Sequence, residues 1–167
     1  MNAVSKIREI LNPEVLKSRL LIESLIAIPS AGATLALLAR FDRELPRPLS
    51  EMHRAVLSVW NGIDLDVIRI LGIPPTENGI ATITNCQGLI PVEPRYAGAI
   101  AFASDPSGYI YFELPDGSVH SWDHDGGDTQ QIASTIDDFI SHVVFGVRGK
   151  EFAGEQWLHE LQLCGLA

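Results

Sequence analysis

The residues best able to do chemistry lie together in Asp123-His124-Asp125-Gly126-Gly127-Asp128. Three carboxylates and an imidazole in one short run offer ligands to a hard divalent cation. A metal-dependent hydrolase using Asp123, Asp125 and Asp128 is therefore one reading. The spacing does not match an EF-hand, whose loop needs glycine at its sixth position and a ligand at its fifth. Here Gly126 and Gly127 fall at the fourth and fifth positions. A flexible loop also loses conformational entropy when it gathers ligands. A solvated acidic loop is the simpler reading.

The remaining chemistry-bearing residues form no constellation. His53, His120, His124, His142 and His159 are scattered, without the H-E-x-x-H spacing that puts two imidazoles on one helical face. Cys86 and Cys164 have no adjacent basic residue to stabilise a thiolate, and two cysteines do not make a disulfide framework. No G-x-S-x-G nucleophile turn, dinucleotide-binding glycine pattern or phosphate-binding loop is present. The expectation is a binding protein with no cofactor and no catalytic residues.

The elements that must position these residues follow from periodicity. Asn12 and Pro13 suit the start of a helix that Pro29 ends, and a second helix is expected from about Gly32 to Arg43. Leu45-Pro46-Arg47-Pro48 is a rigid bend. A third helix follows to Trp60, with Asn61-Gly62 as its C-cap. Asp66–Leu71 reads as one β-branched strand. Residues 74–94 are rich in glycine, proline and asparagine and give no clear element. Strands then follow at Ala99–Ala103, Tyr109–Leu114 and Ser118–Trp122, separated by Asp105-Pro-Ser-Gly and Pro115-Asp-Gly turns. Ser134 opens a helix with Asp137 as its capping partner, placing Ile136, Phe139, Ile140 and Val143 on one face. A last helix covers about Glu155 to Leu163. Helices first, a hairpin-connected sheet next and helices last describe an α+β fold with a mostly antiparallel sheet.

Composition bounds the function. The 167 residues carry 12 basic and 21 acidic side chains, a net charge of −9. Nucleic-acid and anionic-lipid binding need clustered Lys and Arg, so neither partner is expected. The N-terminal stretch is not of the secretory type, and Pro29, Ser30 and Gly32 interrupt the apolar run from Leu20 to Ala39. A cytoplasmic location and a monomer are expected. The charge is concentrated: residues 96–147 contain no Lys or Arg, and their eight Asp and Glu give −8. Such a stretch is either a solvated face kept for solubility or a docking surface for a basic partner.

Three pieces of the chain together resemble the SUKH superfamily, which includes fungal cell-wall-assembly regulators and bacterial toxin-immunity proteins. They are Leu45-Pro46 followed by a helix and Asn61-Gly62; the run Ile100 to Phe112 with its Gly108 turn; and Asp116-Gly-Ser-Val-His-Ser-Trp-Asp-His followed by Ile132 to Ile140. Residues 74–94 do not align with the family's pattern, and Ile136 stands where the family usually has an aromatic residue. The resemblance covers residues 30–146, with a helical extension over 1–29 and a C-terminal helix over 150–167, all in one domain. It implies a non-catalytic protein that binds and neutralises a cognate toxin, often a basic nuclease. A regulatory or scaffold module of the same fold is the alternative. On this reading the acidic stretch is the partner surface: Asp105, Glu113, Asp116, Asp123, Asp125 and Asp128 supply charge, and Tyr111 and Trp122 are aromatic anchors.

Overall fold

Short turns joining apolar strands leave each strand beside its predecessor. The computed structural model describes residues 2–12, 28–77, 79–123 and 125–167. Its sheet is a seven-stranded antiparallel meander in sequence order. The strands are β1 (Ile28–Pro29), β2 (Ile63–Asp64), β3 (Arg69–Ile70), β4 (Ile100–Ser104), β5 (Ile110–Glu113), β6 (Val119–Trp122) and β7 (Thr129–Ala133). Around it pack α1 (Ala3–Ile10), α2 (Leu35–Phe41), α3 (Glu51–Val59), α4 (Ile83–Gln87), α5 (Ile136–Asp138) and α6 (Gly149–Leu163). A π-helical segment, Phe139–Val144, continues α5. The architecture is α+β, as expected.

Both faces of the sheet are covered, and strand alternation sorts side chains between them. Ile110 and Phe112 of β5 join one apolar cluster with Leu38 of α2 and Ile83 of α4. Tyr111 joins the other, with Ile7, Phe102, Phe139, Ile140 and Trp157. Helix α3 serves both, through Leu57 and Val56 respectively. A bulge between Ala101 and Ala103 lets β4 place Ile100 and Ala101 in one cluster and Phe102 and Ala103 in the other.

Several sequence expectations need correction. Asp66–Leu71 is not one strand: Asp66 turns at φ 65°, its N–H donating to Asp64 Oδ1 at 3.0 Å, and β2 pairs with β3 across this hairpin. Aspartate tolerates this left-handed conformation better than most residues. The helix before Asn61 ends at Trp60, and Asn61 works through its side chain. Asn61 Oδ1 accepts the Ile73 N–H at 2.7 Å, and Nδ2 donates to Ile73 O at 2.9 Å. Gly62 (φ 95°) lets Gly72 and Ile80 approach, since a Cβ there would lie 2.6 Å from Ile80 Cγ2. The helix after β7 is capped one residue later than expected, by Thr135 with Asp138, while Asp137 accepts the Ala3 N–H. Strand β7 itself, Thr-Gln-Gln-Ile-Ala, carries too thin an apolar pattern to be read from sequence. The expected last helix, Glu155 to Leu163, is present as the second part of α6, and a short helical stretch from Gly149 precedes it across a break at Ala153-Gly154. The helix expected to start at Asn12 lies mostly outside the described residues; α1 precedes it, capped by Asn2, which accepts the Ser5 N–H.

One buried group makes the fold sensitive to acid. His53 of α3 is 1% exposed, and among the described residues neither ring nitrogen has a hydrogen-bond partner. Its ring stands edge-on to Phe102 at 6.1 Å. Burial, helped by the Arg47 cation and opposed by Asp42, pushes its pKa down to about 3. The unfolded chain then binds a proton that the folded chain refuses, so stability falls as pH drops from about 6.5 toward 3. Between pH 7 and 5 the loss from His53 should be about 2 kcal/mol. The partly buried His120, lowered by its own burial, acts in the same direction. Urea melts at both pH values check this. His53→Leu should remove most of the slope, and an unchanged slope would mean that His53 is solvated.

Candidate interaction surface

Hairpin order decides which acidic turns share an end of the sheet. The turns at 65–68, 105–109 and 123–128 fall at one end, and the turn at 114–118 falls at the other. Asp66, Asp105, Asp123, Asp125 and Asp128 are therefore gathered at one end, with Asp64 of β2 and Arg69 of β3 beside the first turn. Asp64 pairs with Arg69 at 3.1 Å. Asp64 and Asp66 are not legible as surface residues in the sequence, because Asp66 reverses the chain beside a β-branched run that has the composition of a single strand.

Each turn is held by its own aspartate. Asp105 Oδ1 accepts the Tyr109 N–H at 3.0 Å, and Oδ2 accepts the Tyr111 hydroxyl at 2.8 Å. Asp123 Oδ1 accepts the N–H groups of Asp125 and Gly126 at 3.1 and 3.0 Å. A Cβ on Gly126 would stand 2.6 Å from Asp123 Oδ2, so the tight loop needs glycine there. Asp123 is half-buried, whereas Asp125 and Asp128 are exposed. No group of three His, Cys, Asp or Glu among the described residues is placed to hold a metal ion.

The other expected site residues do not join this surface. Asp116 sits at the far end, where Ser118 donates to its Oδ1 through Oγ at 2.6 Å and N–H at 2.9 Å. The Ser118 hydroxyl and amide hold its carboxyl below the usual range. Glu113 is 3% exposed and paired with Arg47 at 2.9 Å, so it is inside the fold. Tyr111 is also 3% exposed, its ring 4.8 Å from Phe139. Trp122 is half-buried against the Ile110–Phe112 cluster, its Nε1 enclosed and without a partner among the described residues. The exposed aromatic at the acidic end is Tyr109, 37% exposed. Beside it lies a cleft of about 270 Å³ lined by Asp105, Ser107, Tyr109, Tyr111, Ser121, Gln130, Ile132, Glu151 and Phe152. Its far wall comes from α6, which no strand pattern could have placed there.

Residues 32–142, from the approach to α2 into the π-helical segment, match the SMI1 / KNR4 family (SUKH-1). The chain belongs to the SUKH-1 family. No curated protein matches the chain. The SUKH-1 match contains β2 to β7 and all three turns of the acidic end. Helices α1 and α6 of this SUKH-1 protein lie outside the match, yet both pack on the Tyr111 side of the sheet. SUKH-1 membership supports an immunity or related regulatory domain that works through protein contacts. No helix among the described residues is long and apolar enough to cross a membrane.

Proposed function

We propose that this SUKH-1 protein is a bacterial immunity protein that neutralises a basic, nucleic-acid-targeting toxin by direct binding, without catalysis. One observation carries the reading: three separate hairpin turns bring Asp66, Asp105, Asp123, Asp125 and Asp128 to one end of the sheet. A fold needs no such gathering, because like charges repel and lower stability. A surface of this sign attracts a protein whose own site is built to bind phosphate. Long-range attraction mainly raises the association rate and is weakened by salt. A regulatory module of the same family would use the same surface on a different basic partner.

The test reverses charge and keeps the carboxylate that accepts the loop's N–H groups. Asp123 stays, since its carboxylate holds the loop, and Asp125 and Asp128 become Lys together. Binding is measured by stopped flow against a cognate toxin, sought first among the products of the neighbouring genes, at two ionic strengths. Association should slow at least about tenfold at low salt and lose most of its salt dependence. Cells carrying the variant should lose protection from the toxin. An unchanged rate together with full protection would make the acidic end a solubility device. Binding without any protection in the unaltered protein would assign a regulatory role instead.

A further inference from the structure

The cleft beside the turn between β4 and β5 differs from the rest of the acidic end, because its walls are aromatic. Phe152 of α6 is half-buried, with its ring 6.1 Å from Tyr111 and 6.2 Å from Phe139, so the core sets its position. Tyr109 supplies the opposite, exposed rim. Asp105 accepts hydrogen bonds from Tyr109 and Tyr111, and no cation pairs with it among the described residues. A carboxylate offers about four lone-pair sites, so acceptor capacity remains. Arg148, the nearest guanidinium in the chain to Glu151, is committed: it donates to Glu151 Oε2 at 2.6 Å and also pairs with Asp138. The local balance therefore stays negative. Burial first, and then Asp105, push the ionisation of Tyr111 far above its ordinary value, so its hydroxyl remains a neutral donor.

We propose that this cleft receives one arginine side chain of the protein partner, its guanidinium on Asp105 and its flat face against Tyr109 and Phe152. The assignment rests on the acidic end being the partner surface and adds the chemical group that surface recognises. Arginine suits the cleft better than lysine. Its planar fork pairs with a carboxylate and stacks on aromatic rings at once, whereas an ammonium is compact and strongly hydrated. Arginine is also among the residue types that dominate binding energy at interfaces.

The experiment titrates the full ¹⁵N-labelled chain with N-acetyl-L-arginine amide and follows backbone amide shifts. The citrulline and lysine amides serve as comparisons, since citrulline has arginine's shape without its charge. Saturable shifts should centre on Tyr109, Ser121, Gln130 and Phe152. Asp105→Asn should weaken arginine binding about tenfold, the loss expected for one hydrogen bond to a charged group. Asparagine keeps an oxygen for the Tyr109 N–H, and an unchanged thermal melt shows that the turn survives. Equal binding of citrulline, shifts spread over all the acidic turns, or no saturation would overturn the assignment. A silent cleft in a protein whose Asp125 and Asp128 still govern association would sink this inference alone. A saturable cleft with normal association of the reversed-charge variant would sink the broader surface reading and with it the assignment of that arginine to the partner.

Discussion

Replacing Phe139 with alanine should lower the free energy of unfolding by about 3–5 kcal/mol. Phe139 is fully buried at the start of the π-helical segment. Its ring stands edge-on to Phe102 at 5.4 Å and lies tilted against Tyr111 at 4.8 Å. It thus joins the helical layer to β4 and β5 through two aromatic contacts. Such pairs add to the area they bury. The packed surroundings, Ile136, Ile140 and Val143, are held by their own helix and cannot collapse fully into the space left behind. Urea melts of the variant should show a shifted midpoint and an unchanged slope. A loss below about 1 kcal/mol would mean the segment is not packed as described.

Arg47→Ala should cost a similar amount, about 3–5 kcal/mol, for an electrostatic reason. One guanidinium holds three parts of the chain, around Pro48, Gly98 and Glu113-Leu114. Its Nε donates to Gly98 O at 2.9 Å, Nη1 to Pro48 O at 3.1 Å, and Nη2 to Glu113 O and Leu114 O at 3.1 Å each. Nη2 also pairs with Glu113 Oε2 at 2.9 Å, and the Glu113 side chain is only 4% exposed. Without Arg47 a buried carboxylate loses its counterion and four backbone carbonyls lose a donor. Arg47→Lys retains the charge but cannot present the planar fork, so it should rescue only part of the loss. Glu113→Gln leaves the Arg47 cation without its carboxylate, but that cation is partly exposed and keeps its carbonyl acceptors, so the change should cost less than Arg47→Ala. If all three variants melted like the unaltered protein, the pair would be a solvated surface contact worth little.

The β4–β5–β6 meander was legible because its information is local. Asp105-Pro-Ser-Gly and Pro115-Asp-Gly are turn signals between β-branched and aromatic runs, and the pairings Ala103↔Tyr111 and Phe112↔His120 follow from them. The inward face Ile136, Phe139, Ile140 and Val143 was legible for the same reason, since three- and four-residue spacing survives the change from α to π winding. Where a local signal was weak, the reading failed. Strand β7 is held by pairing with β6 rather than by its own composition. The hairpin between β2 and β3 was missed because a single aspartate at positive φ reverses the chain inside a β-branched run.

Charge sign and its concentration between residues 96 and 147 belong to the sequence alone, and so does the β4–β5–β6 order. The pairings of β2 with β3 and of β6 with β7, which bring the turns at 65–68 and 123–128 to the same end, come from the folded sheet. Which of those carboxylates meet water is a different matter. Asp125 and Asp128 are exposed, while Glu113 is inside the fold and Tyr111 beneath the acidic turn. Glu113 owes its burial to Arg47, 66 residues earlier in the chain. The arginine-binding cleft likewise needs Phe152 from a helix beyond the sheet. Local spacing encodes turns and faces, because neighbouring residues share one backbone geometry. Burial and ion pairing depend on groups brought together from distant parts of the chain, and only the folded packing decides them.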